Sequence, residues 1–282
     1  MMAKAAASDA DEVIFDLEDA CALSQKESAR RTLIETLPSL VFTRSKVRAY
    51  RVNGVGTPWL DADVKDVLSR CGACLDAVVV PKVNTAADIE QVDCLITEIE
   101  TAQQLPPGRL KIEALIETAA GLLNAPAIAK ASPRMASLIF GVADFAGDIG
   151  AKGFQSDPHG LMAYARSHIL VAARAAGIDA IDGVTVQFKD LAPVTRDAQR
   201  AADMGFDGKW AIHPAQLEPI HRAFTPSPAE LERAARIVEA YAKADQHDGL
   251  GAIAIGDEMI DAATLKVERR KLAIAQRASG RL

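Results

Sequence analysis

The feature that most constrains what this chain can fold into is a rhythm. Short apolar runs rich in β-branched residues recur between helix-like stretches, at 13–16, 46–52, 77–81, 112–116, 137–140, 180–182 and 208–212. Both faces of each run are apolar, the pattern of a strand covered on two sides in a parallel sheet. The helix-like stretches fall at 24–36, 86–101, 119–130, 158–176 and 193–204, several opened by Ser, Thr, Asp or Pro. Seven alternations favour closure into a barrel over an open doubly wound sheet. The expected fold is therefore α/β, a TIM (β/α)8 barrel over residues 1–224 followed by a C-terminal helical extension over 225–282. A closed barrel needs eight strands, so the first is expected to be missing, ahead of a short helical segment at 2–8. After the last strand a helix at 214–223 leads into the extension, which reads as a T-P-S-P turn at 225–228, a long helix at 229–243, a break at D-G-L-G, an apolar run at 252–255 and a last helix from Met259 onward.

Composition narrows the function. With 49% hydrophobic residues over 282 positions the chain can bury a large core. A net charge of -6 and a pI near 5.5 argue against nucleic-acid binding, which needs a basic face. No run of eighteen apolar residues is present, and the start (MMAKAAASDADE) turns acidic where a signal peptide would be apolar, so a cytoplasmic protein with no membrane contact is expected. Four cysteines are too few for a disulfide scaffold; the C-x-x-C at Cys71 and Cys74 has no second pair and no preceding strand, and reads as small residues at a helix end.

In a β/α barrel the chemistry sits just after the strands, and here those positions are charged. D-L-E-D (16–19) follows the first visible strand, Arg51-Val52-Asn53-Gly54 the second and Pro81-Lys82-Val83 the third; the next two lead to Glu117 and Asp144, and the last to Ile212-His213-Pro214. Glu117 and Asp144 are one strand-helix-strand repeat apart, so they can sit side by side on one rim. Two such carboxylates suit a hard divalent ion that keeps its other positions for water and substrate; singly, each would be read as a helix-start acid. Arg51 can clamp a carboxylate or phosphate, or form an ion pair with Asp16, Glu18 or Asp19. Lys82 can do similar electrostatic work, or be a solvated or ion-paired lysine.

Of the five histidines only His213 stands at a strand end, which argues against a zinc triad. No G-x-S-x-G elbow is present, and Gly249, Gly251 and Gly256 do not form a dinucleotide fingerprint.

The ordered motifs V-I-F-D-L-E-D-A, V-R-A-Y-R-V-N-G, V-V-V-P-K-V, A-L-I-E-T-A-A-G-L-L-N, F-G-V-A-D-F-A-G-D-I-G, G-K-W-A-I-H-P-A-Q, F-T-P-S-P and G-D-E-M-I-D resemble the citrate lyase β-subunit-like family, the branch of the HpcH/HpaI aldolase superfamily that includes malyl-CoA and citramalyl-CoA lyases. The resemblance spans residues 4 to 280. It implies that Glu117 and Asp144 bind Mg²⁺, with Mn²⁺ as a substitute, and that Arg51 holds the acyl carboxylate. It also implies that Ile212 and His213 line the thioester site, and that Asp261 enters the active site of a neighbouring subunit in a homo-oligomer, a trimer or hexamer. Family members open with a strand and a P-G-x-R-like loop that contributes to coenzyme A binding; of that segment Lys4 is the one survivor here.

The implied reaction is cleavage of a 3-hydroxyacyl-CoA to acetyl-CoA plus glyoxylate or pyruvate, with Arg51 neutralising the carboxylate and Asp261 donating a proton. Hydrolysis of malyl-CoA at the same site is an alternative, as is a β-subunit-like citryl lyase component that needs partner chains.

Overall fold

The computed structural model describes residues 1–43, 46–153, 161–248 and 251–279. They form two compact units, residues 1–220 and 221–282.

In the first unit seven parallel strands lie in sequence order, β1 (Glu12–Asp16), β2 (Val47–Arg51), β3 (Ala77–Val80), β4 (Lys111–Ile116), β5 (Met135–Phe140), β6 (Asp179–Asp182) and β7 (Gly208–Lys209). The helices are α1 (Met2–Ala6), α2 (Lys26–Thr36), α3 (Leu60–Cys71), α4 (Ala86–Ala102), α5 (Ala119–Ile128), α6 (Val142–Asp148), α7 (Leu161–Ala176) and α8 (Ala192–Met204), with α9 (Leu217–Phe224) running across the boundary between the units. Every expected strand is present. Two helices, α3 and α6, are additional to those expected, and the expected start of α7 at Pro158, with His159, lies outside the described residues. Cys71 closes α3 and Cys74 lies in the 3-10 turn after it; both are free thiols, as expected at a helix end.

The sheet is curled around its own core. Ala49, Ala77, Val79, Leu115 and Ile139 form one buried cluster, and Ile14, Ile181 and Trp210 pack against it, so β1 to β6 and the residue just after β7 all send a side chain inward. The Arg51 guanidinium, at the end of β2, lies 5.5 Å from the Trp210 ring just past β7. In a flat sheet those two strands would be roughly 24 Å apart, at about 4.8 Å per strand. The result is a parallel half-barrel with β1 and β7 at its two ends.

The second unit consists of α10 (Pro228–Asp248), an antiparallel hairpin of β8 (Ala252–Ile255) and β9 (Glu258–Asp261), and α11 (Ala262–Ser279). Where a helix is expected from Met259, the chain is strand until Asp261. A-I-A-I alternates in exposure along β8, Gly256 takes a positive φ of 65° at the turn, and Ile255 pairs with Glu258 across it. The F-T-P-S-P segment opens α10: the Glu230 carboxylate accepts hydrogen bonds from the Ser227 amide (2.8 Å) and hydroxyl (2.7 Å), a reciprocal cap. Arg233 joins α10 to α11 through Glu268 (2.7 Å) and to β9 through Glu258. Among the described residues no helix is long and apolar enough to cross a membrane.

Candidate active site

Parallel packing puts the C-terminal ends of β1 to β5 on one rim, and their charged residues meet there. Asp16, the last residue of β1, grips the Arg51 guanidinium through both carboxylate oxygens, one of the bonds measuring 2.8 Å. Its oxygens also accept the amides of Glu18 (2.8 Å) and Ala20 (3.1 Å). Burial alone would raise the Asp16 pKa, but Arg51 and these amides lower it below the usual value. Arg51 Nη1 reaches Glu18 at 3.0 Å, and Arg51, though mostly buried, is held firmly protonated by its acidic neighbours.

Glu18, itself buried, also pairs with Lys82, whose Nζ lies 3.3 Å from Asp19 and 4.0 Å from Asp144. The ion-pair readings of Arg51 and Lys82 are therefore what the side chains do in this state.

The D-L-E-D loop is held from below. Buried Lys26 donates to the carbonyls of Leu17 (3.0 Å) and Glu18 (2.7 Å), and Asn53 Nδ2 donates to Leu17 (3.1 Å) and to the Asp63 carboxylate (2.6 Å). Asp63, fully buried on α3, is in turn fixed by Arg30 at 2.8 Å. Asn53 of the R-V-N-G motif is thus a staple between two loops.

Glu117 follows β4 and is 1% exposed. It caps no helix; Thr118 does that, accepting from the Gly121 amide at 2.9 Å. Instead Glu117 Oε1 accepts the Lys82 backbone amide at 2.8 Å, an amide presented by the left-handed conformation of Lys82 at φ 52°. Burial first, then the negative charge of Asp144, push the Glu117 carboxyl up to about 8, against the opposing pull of the Lys82 amide and ammonium. Asp144 is exposed in the first turn of α6, and its helix makes no side-chain cap. Room for Glu117 comes from Gly141: a Cβ there would collide with the Glu117 Cβ and Oε2 and lie 3.1 Å from its Cδ.

A buried carboxylate destabilised by its acidic neighbour is relieved by a cation between them. The donors are oxygens only, and among the described residues no three His, Cys, Asp or Glu converge on a metal position. That set suits a hard divalent ion that completes its shell with water and substrate.

At the far side of the rim, Ile212 and His213 form one turn. His213 Nδ1 accepts the Ala215 amide at 3.1 Å, which leaves Nε2 as the N–H donor, and the imidazole stacks on Phe188 with centroids 5.0 Å apart and planes at 28°. Lys4 lies exposed on α1. Asp261 belongs to the second unit, where its Oδ1 accepts the Ala263 amide (3.0 Å), the Thr264 amide (2.9 Å) and the Thr264 hydroxyl (3.1 Å). Its carboxyl is held below the usual range, chiefly by the Thr264 amide.

The sequence-derived residues Glu117, Asp144, Arg51 and Lys82 are thus brought together, and Ile212 with His213 share a turn. Asp16 and Glu18, expected as ion-pair partners of Arg51, take that place, and Gly141, Trp210, Phe188 and Gln216 complete the site without having been singled out in the sequence. For Gln216 a signal exists, three residues after His213 at the spacing of a reciprocal cap.

A half-barrel of this kind, with its charges concentrated at the strand ends, is the catalytic end of a β/α-barrel enzyme. The model of the HpcH/HpaI aldolase/citrate lyase family matches residues 1–214, and the chain belongs to that lyase family. The chain is 38% identical over 267 residues to a (3S)-malyl-CoA thioesterase of Cereibacter sphaeroides, covering 95% of this chain and 87% of that protein. An L-malyl-CoA/beta-methylmalyl-CoA lyase of the same species is 37% identical over 93% of this chain and 86% of its own length. Among solved structures, the CitE protein of Mycobacterium tuberculosis in complex with magnesium, acetoacetate and coenzyme A shares 29% identity, with a TM-score of 0.74 over 95% of this chain and 90% of that one.

Proposed function

We propose that this protein is a Mg²⁺-dependent carbon–carbon lyase acting on a hydroxylated acyl-CoA of the malyl-CoA or citramalyl-CoA type. The observation that carries the reading is buried Glu117 set against Asp144 within a rim that also holds Arg51 and Lys82. Glu117 and Asp144 would hold the Mg²⁺, or Mn²⁺ in its place; when bound it supplies Lewis-acid polarisation of the substrate's carboxylate and hydroxyl oxygens. The CitE complex with magnesium and coenzyme A and the malyl-CoA lyase relative support this reading.

Asp16 anchors Arg51 through Nε and Nη2, so the Nη1 edge, now paired with Glu18, is the one offered to a substrate carboxylate. Ile212 and His213 line the thioester, and Lys4 faces the coenzyme A arm. Cleavage of the bond between the hydroxyl-bearing carbon and the carbon next to the thioester releases glyoxylate or pyruvate. As that bond breaks, the hydroxyl gives up its proton to solvent and its oxygen becomes the new carbonyl, while the electron pair stays on the thioester fragment, which takes up a proton from Asp261 of a neighbouring subunit to give acetyl-CoA. To donate, Asp261 must arrive protonated, against the Thr264 hydrogen bonds that hold its pKa down. The assembly is a cytoplasmic homo-oligomer, a trimer or hexamer, with the second unit completing a neighbour's site. An eighth strand between β7 and β1 would close the barrel.

The malyl-CoA thioesterase relative favours a second reading, hydrolysis at the same rim. Incubating the purified protein with malyl-CoA and citramalyl-CoA, with Mg²⁺ or EDTA, and identifying products by mass spectrometry separates the two. Glyoxylate or pyruvate with acetyl-CoA, abolished by EDTA, supports the lyase. Free acid and coenzyme A would replace it with the thioesterase. No product would indicate a component that works only with partner chains.

A further inference from the structure

We propose that Gln216 is a positioning residue for the thioester wall of the site, tying the loop after β6 to the Ile212–His213 turn. Gln216 is 1% exposed, and all of its amide's hydrogen-bonding capacity is used. Oε1 accepts the amides of Ile212 (2.9 Å) and His213 (3.3 Å); Nε2 donates to the carbonyls of Thr185 (2.7 Å) and Gln187 (2.9 Å). One side chain therefore joins two segments of the chain, and a side-chain amide supplies what the tie uses: two acceptor positions on one atom and two donors on the other.

The loop that Gln216 holds is rigid at its root. Asp182, at the end of β6, is fully buried and paired with Lys209 (2.8 Å) and Arg166 (2.7 Å), and Lys209 also donates to the Gly183 carbonyl. Gly183 packs so closely that a Cβ would lie 2.5 Å from the Phe140 carbonyl oxygen. Thr185 Oγ1 donates to Asp197 at 2.9 Å. From this root the chain passes to Phe188, which is 44% exposed and stacks on His213, while neighbouring Ile212 is 53% exposed. With the amides of Ile212 and His213 both engaged by Gln216, the wall presents to a ligand the apolar faces of Phe188 and Ile212 and the Nε2–H of His213. The place of Phe188 on His213 is set from both sides by Gln216.

Assigning this wall to the thioester rests on the function proposed above; the loop-to-loop tie does not. Gln216→Glu keeps the acceptor half of the tie and turns the donor half into a carboxylate facing two carbonyls. Phe188→Leu, at an exposed position, removes the ring and spares the amide bonds. In both variants KM for the acyl-CoA ester is expected to rise about tenfold, with kcat falling less than threefold and the apparent Mg²⁺ affinity within twofold of wild type. Imidazole ¹H–¹⁵N spectra, with His213 identified by His213→Asn, are expected to show His213 displaced in Gln216→Glu. Loss of kcat and Mg²⁺ affinity at unchanged KM, or no change in either variant, would overturn the proposal. If wild type turns over no acyl-CoA ester the function fails instead, and the spectra still decide: an unmoved His213 signal overturns the tie, a displaced one upholds it.

Discussion

Replacing Gly141 by Ala tests whether the close approach of β4 and β5 ends is what creates the Glu117 position. Gly141 has φ -87° and ψ 72°, which an L-residue can adopt, so the change brings no left-handed strain. By itself it would stabilise by about 0.4–1 kcal/mol, through the less flexible unfolded chain. Against this, the new methyl collides with the Glu117 Cβ and Oε2 and stands 3.1 Å from its Cδ. Glu117 is buried, so strand ends or carboxylate must move, at about 1–3 kcal/mol of overpacking. The net expectation is a loss of about 1–2 kcal/mol, a fall in Tm of roughly 2–8 °C for a unit of this size. The carboxylate is displaced with it, so Mg²⁺ affinity falls roughly tenfold or more and the Tm increase on adding Mg²⁺ shrinks. Gly147→Ala is the control: it meets nothing within 4 Å, sits in α6, and is expected to be neutral or stabilising by up to about 1 kcal/mol. Thermal melts and calorimetric Mg²⁺ titrations of the three proteins are sufficient. A Gly141→Ala protein as stable as wild type with the same Mg²⁺ response would refute the reasoning.

Three further outcomes follow from the same structure. Burial first, then neighbouring negative charge, raises the carboxyl groups of Glu12 and Glu113 inside the half-barrel, Glu113 to about 7. A raised carboxyl stabilises the fold below its unfolded value, and that contribution is lost as pH rises through the folded one. Metal-free stability should therefore fall between about pH 4.5 and 7 by up to about 1.4 kcal/mol per pH unit for each proton released; Glu113→Gln should flatten the fall, and a wild-type Tm that climbs across this window would contradict the assignment. Asp261→Asn keeps an acceptor for the α11 cap, so its Tm should stay within a few degrees of wild type while lyase turnover falls at least 100-fold; full turnover would remove Asp261 from the mechanism. Arg51→Lys loses the two-point grip on Asp16 and the fork offered to a carboxylate, and should raise KM at least tenfold in steady-state assays, an unchanged KM excluding the clamp.

Much of the half-barrel is legible in the sequence because its strands are apolar on both faces, a pattern with few alternative uses. The helix at Leu60–Cys71 is not among the expected ones, although Leu60, Val64, Val67 and Leu68 have helical spacing; G-V-G-T-P before it and C-G-A-C after it shorten the periodic window. The strand at Glu258–Asp261 is read as helix because its four residues, with two adjacent apolar ones, show no period of two and abut a long helix. At the rim, Glu117, Asp144 and Arg51 are legible as polar residues ending apolar runs. Their pairing is not: Arg51 with Trp210, or Lys82 with Glu18, joins positions far apart in sequence, and only the curl of the sheet decides which meet. Glycines whose value is the space they leave, such as Gly141, carry no chemical signature. Gln216 lies in a readable spacing, yet its second set of partners, Thr185 and Gln187, comes from another loop.

The most direct test of the central claim is glyoxylate formation from malyl-CoA as a function of free Mg²⁺, for wild type and for Glu117→Gln, Asp144→Asn and the double variant. The expected result is no glyoxylate in EDTA, a saturable rise with Mg²⁺ in wild type, an apparent metal affinity weakened at least tenfold in each single variant, and no measurable lyase activity in the double one. Metal-independent glyoxylate release, or a double variant that retains wild-type turnover, would contradict it.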